Sequence, residues 1–401
     1  MTRLVIAGAR VFDGTGADTH AADIAIEGGR IADVGPGLVG DERIDGAGIT
    51  VLPGLFDCHV HAMFGAIDVW QLAQRPLSYR YFEAARHLAA TLAVGITTVR
   101  DAGGADLGLK QAIDDGLIVA PRMHISIGMI SQTGGHSDYL MPSGVRFGIL
   151  PEGPGIPSTV VDGRQEIRRA VRQLLRGGAD VIKVAVSGGV LSPRSDPRRV
   201  SFRDRELAVL VEEARAGGVP VMAHSLGGES VKAAVRAGVR SIEHGIYLDD
   251  EGIELMLQHG TFLVPTLGAP RAVVESARSG ASIHEASYAK GLGAVDHHLG
   301  SVQRAVAAGV KIAMGTDAGV SQHGENLREL EFLVDAGMSP RGALMAATHN
   351  AADLMGLLGE LGTIEPGKRA DLVLVHGDPL EFEGMPGRIA AVYKDGHRVV
   401  G

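Results

Sequence analysis

A chain of 401 residues is longer than the usual domain of about 100–200, but it suits one α/β barrel of about 250 residues with a smaller companion. Its 38 Lys and Arg against 47 Asp and Glu leave a formal net charge of −9, which excludes nucleic acid as the expected partner, because a phosphate-binding surface needs surplus cations. Apolar residues make up 45%, enough for a large core, and the lone cysteine, Cys58, excludes an intrachain disulfide.

The N-terminal apolar run in MTRLVIAGARVFDGTG is too short for a signal peptide and lacks a small-residue cleavage pattern. No uninterrupted apolar stretch reaches membrane-spanning length. The expectation is a cytoplasmic protein with no membrane partner. LVIAGARVF and DIAIEGGRIADVG predict strands, and Gly28-Gly29 marks a hairpin turn. Eight β-like runs follow: GLFDCHVH, GITTVRD, MHISIGMI, VIKVAVSG, PVMAHS, SIEHG, TFLVPTL and KIAMGTD. Helical patterns alternate with them, such as DGRQEIRRAVRQLLRGG, DRELAVLVEEARAGG and GESVKAAVRAG, each stopped by glycine. Such alternation implies a parallel sheet, and eight units imply an α/β fold of TIM-like (β/α)8 type, with catalytic groups at the C-terminal strand ends. A doubly wound sheet is the other reading, but no G-x-G-x-x-G follows the first strand. Two long connections, 131–163 and the mostly helical 268–309, are expected to shape a substrate pocket. ADLVLVHGD and IAAVYKDGHRVV close the chain as strands, with Asp395-Gly396 as a second hairpin turn. Both termini are expected to build one small β-sandwich domain, 1–52 plus 358–401, beside a barrel at 53–357.

His59 and His61 lie two apart on a strand, so both face the barrel interior and make half of a metal site. Lys183 interrupts an apolar strand, where an unpaired ammonium is costly. His224, His244 and Asp317 end the fifth, sixth and eighth runs. Five strand ends thus offer metal-compatible groups on one side of one sheet. Cys58 should point away from them and pack, while Asp57 shares the face of His59 and could orient it. His297 and His298 lie in a helical stretch and read as solvated or structural.

The order P-G-L-x-D-x-H-x-H, lysine, histidine, histidine and G-T-D-A-G resembles the amidohydrolase superfamily over nearly the whole chain. ITTVRDAGG, SQTGGHSD, IEHG and HGENLREL resemble its dipeptidase-like branch: Xaa-Pro dipeptidases, Xaa-Arg/Lys carboxypeptidases and ochratoxinase-like amidases. The resemblance implies two divalent metal ions, with zinc expected. His59, His61 and Asp317 would hold the more buried ion and His224 and His244 the more exposed one. Lys183, carboxylated by carbon dioxide, would bridge both. A hydroxide between the ions would be the nucleophile, and Asp317 would pass its proton to the leaving amine. His136 is the candidate carbonyl or transition-state donor, Tyr247 is a candidate catalytic residue and substrate contact, and His323 is a candidate substrate contact. Arg100, Arg194 and Arg328 are candidates for a substrate carboxylate. Leu226 stands where many branch members carry tyrosine. The expected activity is hydrolysis of an amide to a C-terminal amino acid, in a dipeptide, N-acyl amino acid or ochratoxin-like amide, a small-molecule partner for what is expected to be a homo-oligomer. A cyclic-amide hydrolase of imidazolonepropionase type and a non-catalytic binding protein are the alternatives. Lys183 favours the two-metal case over the first, and the intact ligand set argues against the second.

Overall fold

The computed structural model describes residues 2–65, 67–141, 143–145, 153 and 155–401. Part of the 131–163 connection therefore lies outside the described residues. From the N-terminus, β1 (Leu4–Val11), β2 (His20–Glu27), β3 (Arg30–Gly35), β4 (Glu42–Asp45) and β5 (Ile49–Pro53) precede the barrel. The barrel strands are β6 (Leu55–Val60), β7 (Ile96–Asp101), β8 (Arg122–Ile125), β9 (Met129–Ile130), β10 (Ile182–Ala185), β11 (Val221–Gly227), β12 (Ser241–Tyr247) and β13 (Phe262–Val264). Three strands, β14 (Leu372–His376), β15 (Ile389–Lys394) and β16 (His397–Val400), end the chain. The helices are α1 (Val69–Gln74), α2 (Leu77–Ala93), α3 (Leu107–Asp114), α4 (Gly163–Arg176), α5 (Asp204–Ala216) and α6 (Gly228–Ala237). They continue with α7 (Asp250–His259), α8 (Gly268–Arg278), α9 (Glu285–Ala308), α10 (Arg328–Asp335), α11 (Pro340–Ala346) and α12 (His349–Leu354).

Local sequence explains most of these elements. In α4, Ile167, Ala170, Val171 and Leu174 recur at helical spacing and are the buried face, and Gly177 caps the end. Gly238 and Gly309 end α6 and α9 in the left-handed region, at φ of 93° and 85°, where an L side chain is disfavoured. The barrel strands pair in parallel in chain order, as two arcs, β6-β7-β8 and β9-β10-β11-β12-β13. The predicted third run is split between these arcs: Ile127 sits at φ of 66°, so β8 pairs with β7 while β9 pairs with β10. The predicted eighth run makes isolated parallel bridges rather than a regular strand, Ile312 to Leu263 and Ala318 to Val60. Backbone bonds still close the barrel there: Cys58 N to Met314 O at 2.9 Å and Asp317 N to His59 O at 2.7 Å.

The chain ends meet in one sheet, ordered β16-β15-β14-β5-β1-β2-β3, with β4 also joined to β1. β1 branches: Leu4–Ala7 pair with β4, and Arg10 and Val11 pair with β5. Gly8, at φ of 69°, separates the two halves. Ile6, Val11, Ile24, Val51, Leu372 and Tyr393 form this sheet's own apolar cluster, apart from the larger core of the barrel.

Candidate metal centre

His59 leaves β6 fully buried, and its Nδ1 lies 2.7 Å from Glu243 Oε2. A carboxylate there takes the Nδ1 proton and leaves the Nε2 lone pair facing inward. His61 is fixed the same way, with Nδ1 donating to Gly103 O at 2.8 Å. Both Nε2 atoms face Asp317 Oδ1, at 3.5 Å from His59 and 3.2 Å from His61. That oxygen is buried and makes no hydrogen bond. Two imidazole nitrogens thus face one carboxylate oxygen, an arrangement that a cation satisfies. Burial pushes His61 down, but Asp317 draws its pKa above the usual value, as a proton would be drawn where a cation belongs. Asp317 is held well below the carboxylate range against burial, by His59 and His61.

His244, in β12, adds a further donor. His59, His244 and Asp317 bring their ligand atoms within 4.8 Å of one another. Its Nδ1 lies 2.7 Å from Thr266 Oγ1, just past β13. The His224 ring lies 4.7 Å from that of His244, and its Nε2 donates to Gly188 O at 3.3 Å, leaving Nδ1 free to ligate. Burial holds both His224 and His244 well below the usual histidine value, and takes His59 down to about 4. All three are therefore neutral, the ligating form, at neutral pH. Lys183 Nζ sits 3.5 Å from His59 Nε2, and burial lowers its pKa to about 8.

The six predicted ligands therefore meet at one end of the barrel. They line a cavity whose other walls are largely apolar, including Phe64, Leu191, Leu226, Ile246 and Val273. His136 lines it too, its ring stacked on His224 at 4.2 Å, and burial pushes its pKa to about 3. His323 and Tyr247 are not brought to this cavity. His323 is buried behind the His61 turn, stacked on His87 at 4.7 Å, with Nε2 3.3 Å from His61 O and 3.2 Å from Phe64 O. The Tyr247 ring is covered by Arg198 at 4.6 Å. Tyr139, which the sequence reading passed over, lines the cavity, and burial raises its hydroxyl to about 12.

The arginine candidates are also redistributed. Arg100 is sealed in the barrel, bonded to Glu243 at 3.0 Å and to Cys58 O at 2.7 Å, so it cannot meet a substrate carboxylate. Arg194 is exposed, and Arg328 pairs with Glu325 at 2.9 Å on the surface. Cys58 packs with Phe56, Phe262 and Val264, and burial raises its thiol to about 12. Asp57 does not touch the His59 ring. It ties β6 to the eighth segment through Thr316 Oγ1 at 2.6 Å and Asn326 Nδ2 at 2.8 Å. Glu243 takes the orienting role. Its signal was an acid in the buried run SIEHG, where an unpaired charge is disfavoured. His298 is buried and donates to His244 O at 2.9 Å, while His297 is exposed.

A family model described as the amidohydrolase family matches residues 50–399. An ochratoxinase of Aspergillus niger is 39% identical over 349 residues, covering 82% of this chain and 71% of that protein. A crystal structure of a Xaa-Pro dipeptidase with methionine bound in the active site superposes with a TM-score of 0.90 at 34% identity, covering 100% of both chains. A prolidase complexed with N-methylphosphonate-L-proline matches with a TM-score of 0.90 at 35% identity over 99% of each chain.

Proposed function

We propose that this chain, which belongs to the amidohydrolase family and is a hydrolase of C–N bonds, uses two divalent ions to cleave an amide to a C-terminal amino acid. The substrate would be a dipeptide, an N-acyl amino acid or an ochratoxin-like amide. The observation that carries this reading is that His59, His244 and Asp317 bring their ligand atoms within 4.8 Å of one another, with His61 Nε2 3.2 Å from Asp317 Oδ1 and with His224 and Lys183 lining the same cavity.

His59, His61 and Asp317 would hold one ion, His224 and His244 the other, and Lys183 would bridge them as a carbamate. Zinc suits this imidazole-rich set. Lys183 is suited to carboxylation because burial brings its amine to about 8, so the free base that attacks carbon dioxide is accessible. The new N–C bond forms as a proton leaves the nitrogen, and a buried cation becomes an anion. When bound, the ions would acidify water and polarise the scissile carbonyl. Asp317 would accept the proton released from water and deliver it to the leaving amine, a role open to a carboxylate at the strand end. His136 would donate to the carbonyl oxygen. The apolar walls, with Leu226 among them, suit aliphatic or aromatic groups on the substrate.

The test is a panel of dipeptides, N-acyl amino acids and lactams assayed with zinc-loaded protein, beside metal analysis. Two ions per chain and cleavage of linear amides are expected. Hydrolysis confined to cyclic amides, or active protein without a transition metal, overturns the reading.

A further inference from the structure

The segment after β10 carries a hydrogen-bonded chain that ends on His136. Gly189 N donates to Ser195 Oγ at 3.1 Å, Ser195 Oγ meets Ser192 Oγ, and Ser192 Oγ lies 2.8 Å from His136 Nδ1. A backbone N–H can only donate, so Ser195 Oγ accepts at the far end of the chain, and the one proton each hydroxyl keeps goes to its nearest acceptor. Ser195 accepts there and keeps one proton for Ser192, and Ser192 then keeps one for His136 Nδ1. The competing acceptors are farther away: Ser192 O is 3.4 Å from Ser195 Oγ, and Gly189 O is 3.5 Å from Ser192 Oγ.

Those same carbonyls are already engaged by Lys290 of α9. Its ammonium lies 2.8 Å from Ser192 O, 2.5 Å from Ser195 O, and 3.4 Å from both Gly189 O and Pro193 O. A cation caged by four carbonyls both fixes the segment and occupies the oxygens that would draw the hydroxyl protons the other way. Gly189 completes the seat. A Cβ built there would stand 2.1–2.7 Å from three ring atoms of His136, so only glycine lets the ring lie against the segment.

We propose that Lys290, Ser195 and Ser192 are positioning residues that hold His136 as the neutral tautomer with its proton on Nε2. This rests on the reading of His136 as a carbonyl donor. An imidazole with a proton on Nε2 and an occupied Nδ1 offers the cavity a hydrogen-bond donor, while the opposite tautomer offers only an acceptor that would repel a carbonyl oxygen.

The tautomer is read directly from the ring nitrogen shifts of 15N-histidine-labelled full-length protein, with the His136 signal assigned by its loss in His136→Gln. Wild type is expected to carry the proton on Nε2. Ser192→Ala is expected to lose that preference and about tenfold in kcat with KM little changed, the scale of one hydrogen bond. Ser192→Thr, which keeps the hydroxyl, is expected to retain both. Lys290→Met is expected to move both readouts the same way, and potassium or ammonium ions entering the carbonyl cage to restore them. A wild-type proton on Nδ1, or a Ser192→Ala protein unchanged in tautomer and kcat, overturns the proposal. A Lys290→Met protein indifferent to either cation overturns the part assigned to Lys290. The tautomer is measured without turnover, so a chain inactive on every amide defeats the functional reading while this one is still decided by the ring shifts.

Discussion

The rim of the barrel and the sheet built from the chain ends handle backbone strain differently. Four residues with side chains, Ile127, His244, Thr266 and Asp317, hold positive φ values of 66°, 73°, 51° and 58° along the barrel strands' C-terminal side. Such a conformation costs a non-glycine residue of order 1–3 kcal/mol and persists where the surroundings over-determine it. Two of the four are candidate metal ligands, and a third, Thr266, bonds one of them. In the terminal sheet, positive φ outside glycine falls only on Asp395 among the described residues, in an Asp-Gly hairpin turn that favours it. Strain at the rim thus goes with aiming side chains inward, whereas in the sheet it goes with reversing the chain.

If that contrast is functional, the largest loss should come at the rim. Asp317→Asn keeps the shape but removes the proton acceptor, and kcat should fall by about 10²–10⁴-fold, with less bound metal by elemental analysis. A variant near wild-type turnover would leave the strained carboxylate without a purpose. Glu243→Gln should come next and act twice. The orienting carboxylate on His59 is lost, which should weaken metal binding by about 10–100-fold in a competition titration. Arg100, 3% exposed, also loses its counter-charge, which should lower unfolding stability by about 3–5 kcal/mol in urea. Loss of metal affinity at full stability would make Glu243 an orienting group alone.

The sequence revealed the rim's ligands because each required an explanation in its own strand. A lysine inside VIKVAVSG and histidines ending apolar runs are costly unless they serve a site. Both hairpin turns were equally readable from Gly28-Gly29 and Asp395-Gly396, and β2–β3 and β15–β16 form where they predict. The supporting shell was less readable, because a partner set by the closed barrel leaves no local pattern. Asp57, two residues before His59, is the orienting group that the strand by itself offers, yet Glu243, 184 residues away, takes His59 Nδ1. Likewise, His323 and Tyr247 are near ligands in sequence, but one faces His87 and the other Arg198. The eighth run lies where it is expected, but it joins its neighbours through the isolated bridges of Ile312 and Ala318 rather than as a regular strand.

In the sheet, smaller effects should appear and should stop at stability. Gly396 sits at φ of 74°, and a Cβ there would lie 3.0 Å from both Gly29 Cα and Ile26 Cγ2. Gly396→Ala should therefore cost about 1–2 kcal/mol for the left-handed conformation, plus some crowding, with kcat of the folded protein unchanged. A drop in kcat would mean that the two regions are mechanically coupled, and the contrast would fail.

Asp23 gives the finest test, because pH can switch it. Its carboxylate accepts Gly8 N at 2.7 Å and Leu38 N at 3.0 Å, bracing β1 where it branches. The Gly8 hydrogen bond, chiefly, lowers its pKa below the ordinary value. A carboxyl depressed by folding adds stability above its unfolded pKa, near 3.9, and loses it as pH falls through the lower folded value. Asp23→Asn can offer only one accepting oxygen to two N–H groups, so it should be weaker by about 1 kcal/mol at neutral pH. That gap should shrink below about pH 4 as the wild-type carboxyl takes up its proton. A gap that stays constant into acid would assign the loss to shape rather than charge. A matching change in kcat at neutral pH would show that the branch point in β1 reaches the rim, which independent handling of strain in the two regions forbids.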